Sequence, residues 1–286
     1  MWIAVNRIGT CCFTASENGL PYMIPTTPKF IRLTTRHTGT LSWLLVVVFM
    51  QTSMMPPARA QAQSSSPAER PVPADGILID DFESYSSGSI PAKWRALYND
   101  RLVALTPEFM NDREWFEARR ENGNGYVRAF SSSEAAHINK GNGDGFDWDT
   151  RTHPVLSWDW RAIDLPAGAR EDDDSRNDSG AGVYVLFSID GRFIKRPKAI
   201  KYVYSSTLPV GTVVTYGKLK VVVVSSARNG AGDWEHIERN VVEDYRRLFG
   251  DEPPAAPLYI RLWSDSDNMG VISRADFDNV MLLTGR

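Results

Sequence analysis

The order of apolar and polar residues predicts a chain built mostly from short β-strands. Leu258, Ile260 and Leu262 alternate with more polar neighbours, which is the period of a half-buried strand. Turns rich in Gly, Asn, Pro and Asp separate the apolar segments. The predicted strands are Ile77–Phe82, Leu102–Leu105, Trp115–Arg119, Tyr126–Phe130, Ala136–Asn139, Val155–Ile163, Gly182–Ile189, Ala199–Tyr204, Lys218–Ser225, Trp234–Glu238, Leu258–Trp263 and Ala275–Leu283. Many short strands spaced in this way indicate a sandwich or a barrel.

One segment has the spacing of a helix. Its apolar residues fall on one helical face: Val241, Val242, Tyr245, Leu248 and Phe249. Asn240 can cap the first turn together with Glu243, in a pattern like the capping box. Gly250 can take the left-handed position that follows the last turn. We therefore expect a short helix at residues 241–249 that covers one end of the fold.

The beginning of the chain has the pattern of an export signal. An apolar run of ten residues, Leu41–Met50, is too short to span a bilayer but has the length of a signal-peptide core. Small residues around Ala60 form a cleavage site. We predict that residues 1–60 are a cleaved signal peptide, with Met23 as an alternative start, and that the protein is periplasmic or secreted. A short membrane anchor is the competing interpretation.

The rest of the chain divides into a linker and a domain. Residues 61–75 are rich in Ser, Pro, Ala and Gln and have no apolar period, which is typical of a disordered linker. Residues 76–286 contain no second linker and no repeat, so we predict a single domain there. No membrane span is expected after the signal is removed.

Charge and cysteine content exclude several classes of function. The chain has a net charge of −3, and the predicted signal holds part of its basic residues, so the domain itself is more acidic. An acidic domain without basic clusters is a poor candidate for binding nucleic acid. Cys11 and Cys12 are adjacent and precede the predicted domain, which leaves no disulfide framework, cysteine zinc site or cysteine nucleophile.

Two acidic segments, one at each end of the predicted domain, suggest a calcium site. Residues two apart in a strand share a face, so the acids of each segment can converge if the first and last strands are neighbours. Calcium takes six to eight oxygen ligands. The predicted ligands are Asp81, Glu83, Asp276 and Asp278. In the alternative interpretation these acids are solvated strand ends, and Phe82 and Phe277 matter as core residues.

Several motifs, taken in order, resemble one family of exported bacterial proteins. They are Leu156-Ser-Trp-Asp-Trp-Arg161, Asn177-Asp178, Val183-Tyr-Val-Leu-Phe187, Leu208-Pro-Val-Gly-Thr212, the run Glu243 to Pro254, and Asp265-Ser-Asp-Asn268. The family is known as domain of unknown function 3047. The resemblance covers nearly all of residues 76–286 and implies an exported β-sandwich without an assigned activity.

The acidic segments at the two ends are more loosely similar to jelly-roll carbohydrate-binding modules. Such modules often hold a structural calcium between their first and last strands, and the resemblance implies the same here. Together these observations predict an all-β, jelly-roll-like β-sandwich with one short helix near residues 241–249.

The resemblance places Asp265, Asp267 and Asn268 first among the candidate ligand-binding residues. They form a polar turn after a predicted strand, and the alternative interpretation is a turn that hydrogen-bonds its own backbone. Asp178 ends an acidic loop just before the strand Gly182–Ile189. It can bind a cation or a sugar hydroxyl, or simply terminate the loop.

A second candidate pair lies on the strand Val155–Ile163. Trp158 and Trp160 share one face of it, and such a pair is more often core than a ligand platform. Asp159 and Arg161 lie on the other face. They either pair with each other or bind a ligand.

Catalytic patterns are scarce, which leaves binding as the predicted function. His137, His153 and His236 have no metal-ligand spacing, and no nucleophile elbow, phosphate-binding loop or dinucleotide fingerprint is present. The prediction is a non-catalytic domain that binds a glycan or another envelope component, with calcium as a structural cofactor. The alternatives are an enzyme that attacks envelope polysaccharide through paired carboxylates, and a purely structural periplasmic domain.

Overall fold

The computed structural model describes residues 71–191 and 196–285, which contain fourteen strands, two 3₁₀ turns and one α-helix. The strands are β1 (Ile77–Asp80), β2 (Arg95–Tyr98), β3 (Arg101–Ala104), β4 (Glu114–Glu121), β5 (Asn124–Ser132), β6 (Ala135–Gly141), β7 (Val155–Asp164), β8 (Ala181–Asp190), β9 (Arg196–Ser205), β10 (Val213–Tyr216), β11 (Leu219–Ser226), β12 (Glu235–Asn240), β13 (Tyr259–Asp265) and β14 (Ile272–Leu283). The helix α1 (Val241–Phe249) follows β12, and the 3₁₀ turns are Pro107–Phe109 and Ala227–Asn229. The predicted signal peptide, residues 1–60, and most of the predicted linker lie outside the described residues.

The strands form two sheets. The first sheet has six strands in the order β12-β7-β14-β5-β4, with β1 paired to β14. The second sheet has eight strands in the order β10-β11-β9-β8-β13-β6-β2-β3. Within the described residues the pairings are antiparallel except the parallel pairing of β9 with β11. The predicted all-β sandwich with one short helix is confirmed.

The first and last strands lie side by side, as the sequence predicted. Ile77 is opposite Leu282 and Leu78 is opposite Met281. The chain then turns sharply at Phe82, a non-glycine residue with a left-handed φ of 54°. Such a backbone is costly unless its surroundings hold it in place. Burial of the Phe82 ring in the core provides that support.

Aromatic side chains fill the space between the sheets. Trp158 and Trp160 on β7 are fully buried, as predicted, and their rings contact each other edge to face at 5.4 Å. Trp158 also contacts Tyr202 of the second sheet at 5.6 Å. Burial of one aromatic side chain removes about 150–250 Å² of surface from water, which stabilises the fold by about 4–6 kcal/mol. The residues that alternate onto the inward side of each strand therefore determine which face of each sheet packs against the other sheet.

The helix has the boundaries and caps that its sequence predicts. The Asn240 side chain accepts a hydrogen bond from the backbone N–H of Glu243 at 3.1 Å, which caps the first turn. Gly250 ends the helix in the left-handed conformation, at φ 68°. Tyr245 packs edge to face against Phe187 at 4.7 Å and fixes the helix on the second sheet.

The sequence analysis did not predict two of the strands, because their apolar and polar residues alternate little. β2 includes Arg95, and β10 is a short edge strand with an exposed Val213. Both lie in the outer part of the second sheet, where a strand buries less apolar surface against its neighbours. Among the described residues, no helix has the length and apolar character needed to cross a membrane.

Candidate ligand-binding site

The four carboxylates predicted to bind calcium have separate partners in the structure. Asp276 is fully buried on β14 and accepts hydrogen bonds from Arg128 Nε at 2.6 Å and Arg161 Nε at 2.7 Å. Arg161 also pairs with Glu121 at 2.8 Å. A buried carboxylate between two guanidinium groups is already neutralised, so Asp276 works as the centre of an ion-pair network.

Asp278 lies in a different environment, in which its hydrogen-bond donors are uncharged. Its carboxylate accepts hydrogen bonds from Asn124 Nδ2 at 2.8 Å and from the backbone N–H of Asn279 at 2.7 Å. Burial raises the pKa of Asp278 to about 8, against the opposing effect of these hydrogen bonds. The carboxyl therefore holds its proton near neutral pH.

Glu83 and Asp81 occupy the turn after β1. Glu83 accepts a hydrogen bond from the backbone N–H of Gly125 at 2.5 Å and pairs with Arg120 at 2.8 Å. Asp81 accepts the backbone N–H of Glu83 at 3.2 Å. Within the described residues, no three of the four predicted ligands approach one another as a metal cluster.

The acid that organises this turn is Asp80, which the sequence analysis did not single out. Asp80 is 4% exposed and accepts hydrogen bonds from Phe82 N at 3.0 Å, Tyr85 OH at 2.9 Å and Trp94 Nε1 at 2.9 Å. Three donors on one buried carboxylate compensate for the loss of its hydration. The acidic segment at the start of the domain thus has a structural role in the described residues.

The second predicted pair, Asp159 and Arg161, also separates. Asp159 is bonded to His236 Nδ1 at 2.7 Å and accepts a hydrogen bond from Asn279 Nδ2 at 2.8 Å. The Arg161 guanidinium lies 4.8 Å from the ring of Trp234, a typical cation–π distance. Both residues point away from the core on the first sheet, and each has its own buried partners.

The structure brings Asp178, Asp265 and Asp267 together. One carboxylate oxygen of each lies within 4.8 Å of the others, and we call these three residues the acidic cluster. Asp178 lies just before β8, whereas Asp265 is the last residue of β13. The backbone N–H of Asp265 donates to the carbonyl of Ser179 at 3.1 Å, which ties the two chain segments together at this point.

Asp178 positions the turn that contains the other candidate residues. Its two carboxylate oxygens accept the backbone N–H groups of Asn268 at 3.0 Å and Met269 at 2.8 Å. The Asn268 side-chain amide donates to Asn177 Oδ1. Burial raises the pKa of Asp178, while these backbone hydrogen bonds lower it and the nearby Asp267 raises it again. The predicted residues Asp178, Asp265, Asp267 and Asn268 therefore form one local site.

Asp265 has an unusual environment for a buried acid. It is 7% exposed, and among the described residues its Oδ1 accepts no hydrogen bond. The nearest cation is the Lys201 ammonium, 3.9 Å from Asp265 Oδ2. Burial raises the pKa of Asp265, Lys201 lowers it, and the two neighbouring carboxylates raise it further. One ammonium group thus faces three carboxylates.

A row of rings lies beside the acidic cluster on the outward face of the second sheet. The His137 ring stacks on Trp263 at 5.1 Å, and Tyr184 contacts the other side of Trp263 at 5.3 Å. We call His137, Trp263 and Tyr184 the aromatic strip. Trp263 and Asp265 are two residues apart on β13 and share a face, whereas Leu262 points into the core.

Two basic side chains border the aromatic strip. The Arg261 guanidinium lies 5.5 Å from the Trp263 ring and donates from Nε to Asn139 Oδ1 at 2.7 Å. Lys201 lies 5.4 Å from the Trp263 ring on its other side. Burial, aided by Arg261, lowers the pKa of His137 to about 3, so the imidazole is neutral. Among the described residues, the Trp263 indole N–H has no acceptor.

The sequence analysis missed the importance of His137, Tyr184 and Lys201. Each lies on a different strand, and only the pairing of β6, β13, β8 and β9 places them together. The available signal was the alternation Tyr259, Arg261, Trp263, Asp265, which predicts one polar and aromatic face for β13.

Two surface depressions lie away from the carboxylates with raised pKa values. One surface depression of about 490 Å³ is lined by charged residues between Arg170 and Arg176. Another, of about 380 Å³, lies against β11 and β12 near His236. Neither depression includes Asp178, Asp265 or Asp278. In the acidic cluster Asp178 and Asp265 are buried and Asp267 is exposed, and in the aromatic strip Trp263 is buried while His137 and Tyr184 are half-buried.

Comparison with known sequences identifies the family. Residues 105–281, more than half of the chain, match the family described as "Protein of unknown function (DUF3047)". The chain belongs to the DUF3047 family. The matched region contains both the acidic cluster and the aromatic strip. No curated protein matches this DUF3047 chain.

Comparison with solved structures finds similar arrangements of strands. The family 11 carbohydrate-binding module of the cellulase Lic26A-Cel5E from Clostridium thermocellum has 11% identity and a TM-score of 0.37, over 76% of this chain and 97% of that one. The Clostridium thermocellum family 11 module in complex with a β-1,3-1,4-mixed-linked tetrasaccharide gives 11% identity and a TM-score of 0.36, over 73% and 96%. An exo-β-agarase gives a TM-score of 0.35 at 11% identity, over 73% of this chain and 25% of that one. These values describe a likeness of fold and carry no argument about the ligand of the DUF3047 chain.

Proposed function

We propose that this protein is an exported, non-catalytic domain that binds a glycan of the cell envelope and is stabilised by a Ca²⁺ ion. The observation that carries the proposal is the aromatic strip on the outward face of the second sheet. Sugar rings bind proteins by stacking their C–H faces on aromatic rings, while polar groups at the rim fix their orientation.

The chemistry around the strip fits a neutral or weakly charged sugar. The half-buried Tyr184 and His137 border the Trp263 ring, and Arg261 supplies donors beside it. Aromatic and arginine side chains are also the residues that carry most binding energy at interfaces.

Export is part of the proposal and stands on the sequence. The apolar run Leu41–Met50 and the small residues around Ala60 support a cleaved signal. An exported domain meets envelope glycans as its first available ligands. The acidic composition argues against nucleic acid as the partner.

The test is a binding screen of the protein against a panel of envelope and plant-type glycans, followed by calorimetric titration of any hit. Tyr184→Ala is expected to weaken binding by about tenfold or more, because it removes one half-buried ring of the strip. Trp115→Ala is the matched control, since Trp115 is a half-buried ring on the outward face of the other sheet. Absence of binding to every glycan, or an equal loss in both variants, contradicts the proposal.

A second candidate function has one observation in its favour. Asp178 and Asp265 both have raised pKa values, and an oxygen of one lies within 4.8 Å of an oxygen of the other. Glycosidases use such a pair of neighbouring carboxyl groups. Measurement of new reducing ends in the same glycan incubations separates this enzyme from the binder. Release of reducing ends that Asp265→Asn abolishes would replace the binding proposal.

A further inference from the structure

We infer that the acidic cluster Asp178, Asp265 and Asp267 is a Ca²⁺ site, in place of the carboxylates on the first and last strands. This inference locates the ion of the proposed function, and its test needs no glycan. A group of carboxylates alone does not make a metal site. Here a separate observation indicates that a ligand is missing.

That observation is the unpartnered oxygen of Asp265. The side chain is 10% exposed, and its Oδ1 accepts no hydrogen bond among the described residues. Burial removes the water that hydrates a carboxylate oxygen. An oxygen that then accepts no hydrogen bond destabilises the folded state. One oxygen of each of the three carboxylates lies within 4.8 Å of the others, so a cation bound between them would give the Asp265 carboxylate a further partner.

The balance of charges around the acidic cluster also favours a bound cation. Three carboxylates converge, and Lys201 is the only cation within ion-pair distance of them in the described residues, 3.9 Å from Asp265 Oδ2. Glu171, which is also buried, interacts electrostatically with the same ammonium. Converging carboxylates repel one another unless a cation neutralises them. When the three carboxylates are ionised, one ammonium leaves this site with a negative excess.

At the other end of the chain, two of the four predicted ligands have arginine partners. There Asp276 pairs with Arg128 and Arg161, and Glu83 pairs with Arg120. The structure thus distinguishes two acidic groups that look alike in the sequence, one that includes three arginines and one that has a single lysine.

The ligand chemistry selects calcium. All the ligand atoms of the acidic cluster are oxygens, and soft metals that prefer thiolate ligands do not favour such a site. Asp178 is held rigidly by two backbone N–H groups, whereas Asp267 is exposed and leaves room for water to complete the coordination. Calcium accepts such mixed and irregular oxygen shells, while magnesium requires a near-ideal octahedron. A bound ion would join the segment before β8 to the turn after β13.

The experiment measures thermal unfolding of the full chain in chelator, in CaCl₂ and in MgCl₂ at equal ionic strength. Tb³⁺ luminescence excited through tryptophan reports metal binding directly, because Trp263 lies two residues from Asp265. A ligand that binds only the folded state raises the midpoint, by roughly 5–10 °C at a concentration of 100 Kd. We expect this rise with Ca²⁺ and a smaller one with Mg²⁺.

Three variants locate the ion. Asp267→Asn changes an exposed side chain and has little effect on folding, so it is the primary variant; Asp265→Asn is the buried one. Both are expected to weaken Ca²⁺ binding by about tenfold or more, since each loses an anionic ligand. Asp81→Asn is the matched control from the other acidic segment and should retain the full response.

Two outcomes overturn the inference. One is a wild-type protein with neither a Ca²⁺-dependent midpoint nor Tb³⁺ luminescence. The other is loss of the response in Asp81→Asn but not in Asp267→Asn, which returns the ion to the first and last strands. Because these measurements contain no sugar, failure of the glycan screen leaves them unaffected.

Discussion

Replacing Asp278 by asparagine should change how the stability of the domain depends on pH. Asp278 is 1% exposed on β14, and burial raises its pKa to about 8 from a usual value of 3.8. Asparagine has nearly the same shape but cannot ionise. The variant therefore isolates the contribution of this single titration.

The direction follows from the number of protons bound in each state. Between pH 4 and pH 8 the folded protein carries a proton on Asp278 while the unfolded chain has lost it, so raising the pH favours unfolding. This stability is fully present below the unfolded pKa and is lost as the pH rises through the folded pKa. The slope is about 1.4 kcal/mol per pH unit. From pH 5 to pH 8 the accumulated loss is on the order of 4 kcal/mol.

The assay is urea unfolding of wild type and Asp278→Asn at pH 5, 6, 7 and 8. The difference in unfolding free energy between them should shift steadily in favour of the variant as the pH rises. Asp112→Asn is the control, because Asp112 is an exposed aspartate. Its profile should remain parallel to that of the wild type.

Parallel profiles for wild type and Asp278→Asn would refute this reasoning. They would mean that the buried carboxyl has the same proton affinity in both states. A bound cation or an additional water at Asp278 would then have to stabilise the ionised form, in spite of its burial.

Two further predictions concern the fold. Asp276→Ala should lower the unfolding free energy by about 3–5 kcal/mol, because it leaves the buried guanidinium of Arg161 without its central partner; a loss below about 1 kcal/mol in urea unfolding would argue against it. Asn240→Ala removes the cap of α1 and should cost about 1 kcal/mol. Asn240→Ser, which can still cap, should restore most of that stability in the same measurement.

The sequence alone was sufficient for the elements and for the class of fold. Alternation of apolar residues predicted twelve of the strands, and the caps at Asn240 and Gly250 predicted α1 to its boundaries. These signals are local, because side-chain period and capping depend on residues within a few positions. The burial of Trp158 and Trp160 followed from the same alternation.

Sequence and structure contributed different information about the candidate site. Family motifs in the sequence placed Asp178, Asp265, Asp267 and Asn268 among the candidates, and the structure brings them together. Sequence also marked Asp276 and Asp278 as metal ligands. It could not show that arginines from β5 and β7 already neutralise Asp276, since those pairs depend on strands adjacent only in the folded sheet.

Tertiary structure alone decided which charges have partners. Asp178 lies in the segment before β8 and Asp265 ends β13, and His137, Tyr184 and Lys201 join them only through the register of the second sheet. Charge and hydrogen-bond balance are sums over neighbours in space, whereas sequence patterns describe neighbours along the chain. The sequence thus determined most of the strands, the helix and the residue types available for a site. The pairing of distant strands determined where the acidic cluster and the aromatic strip would meet.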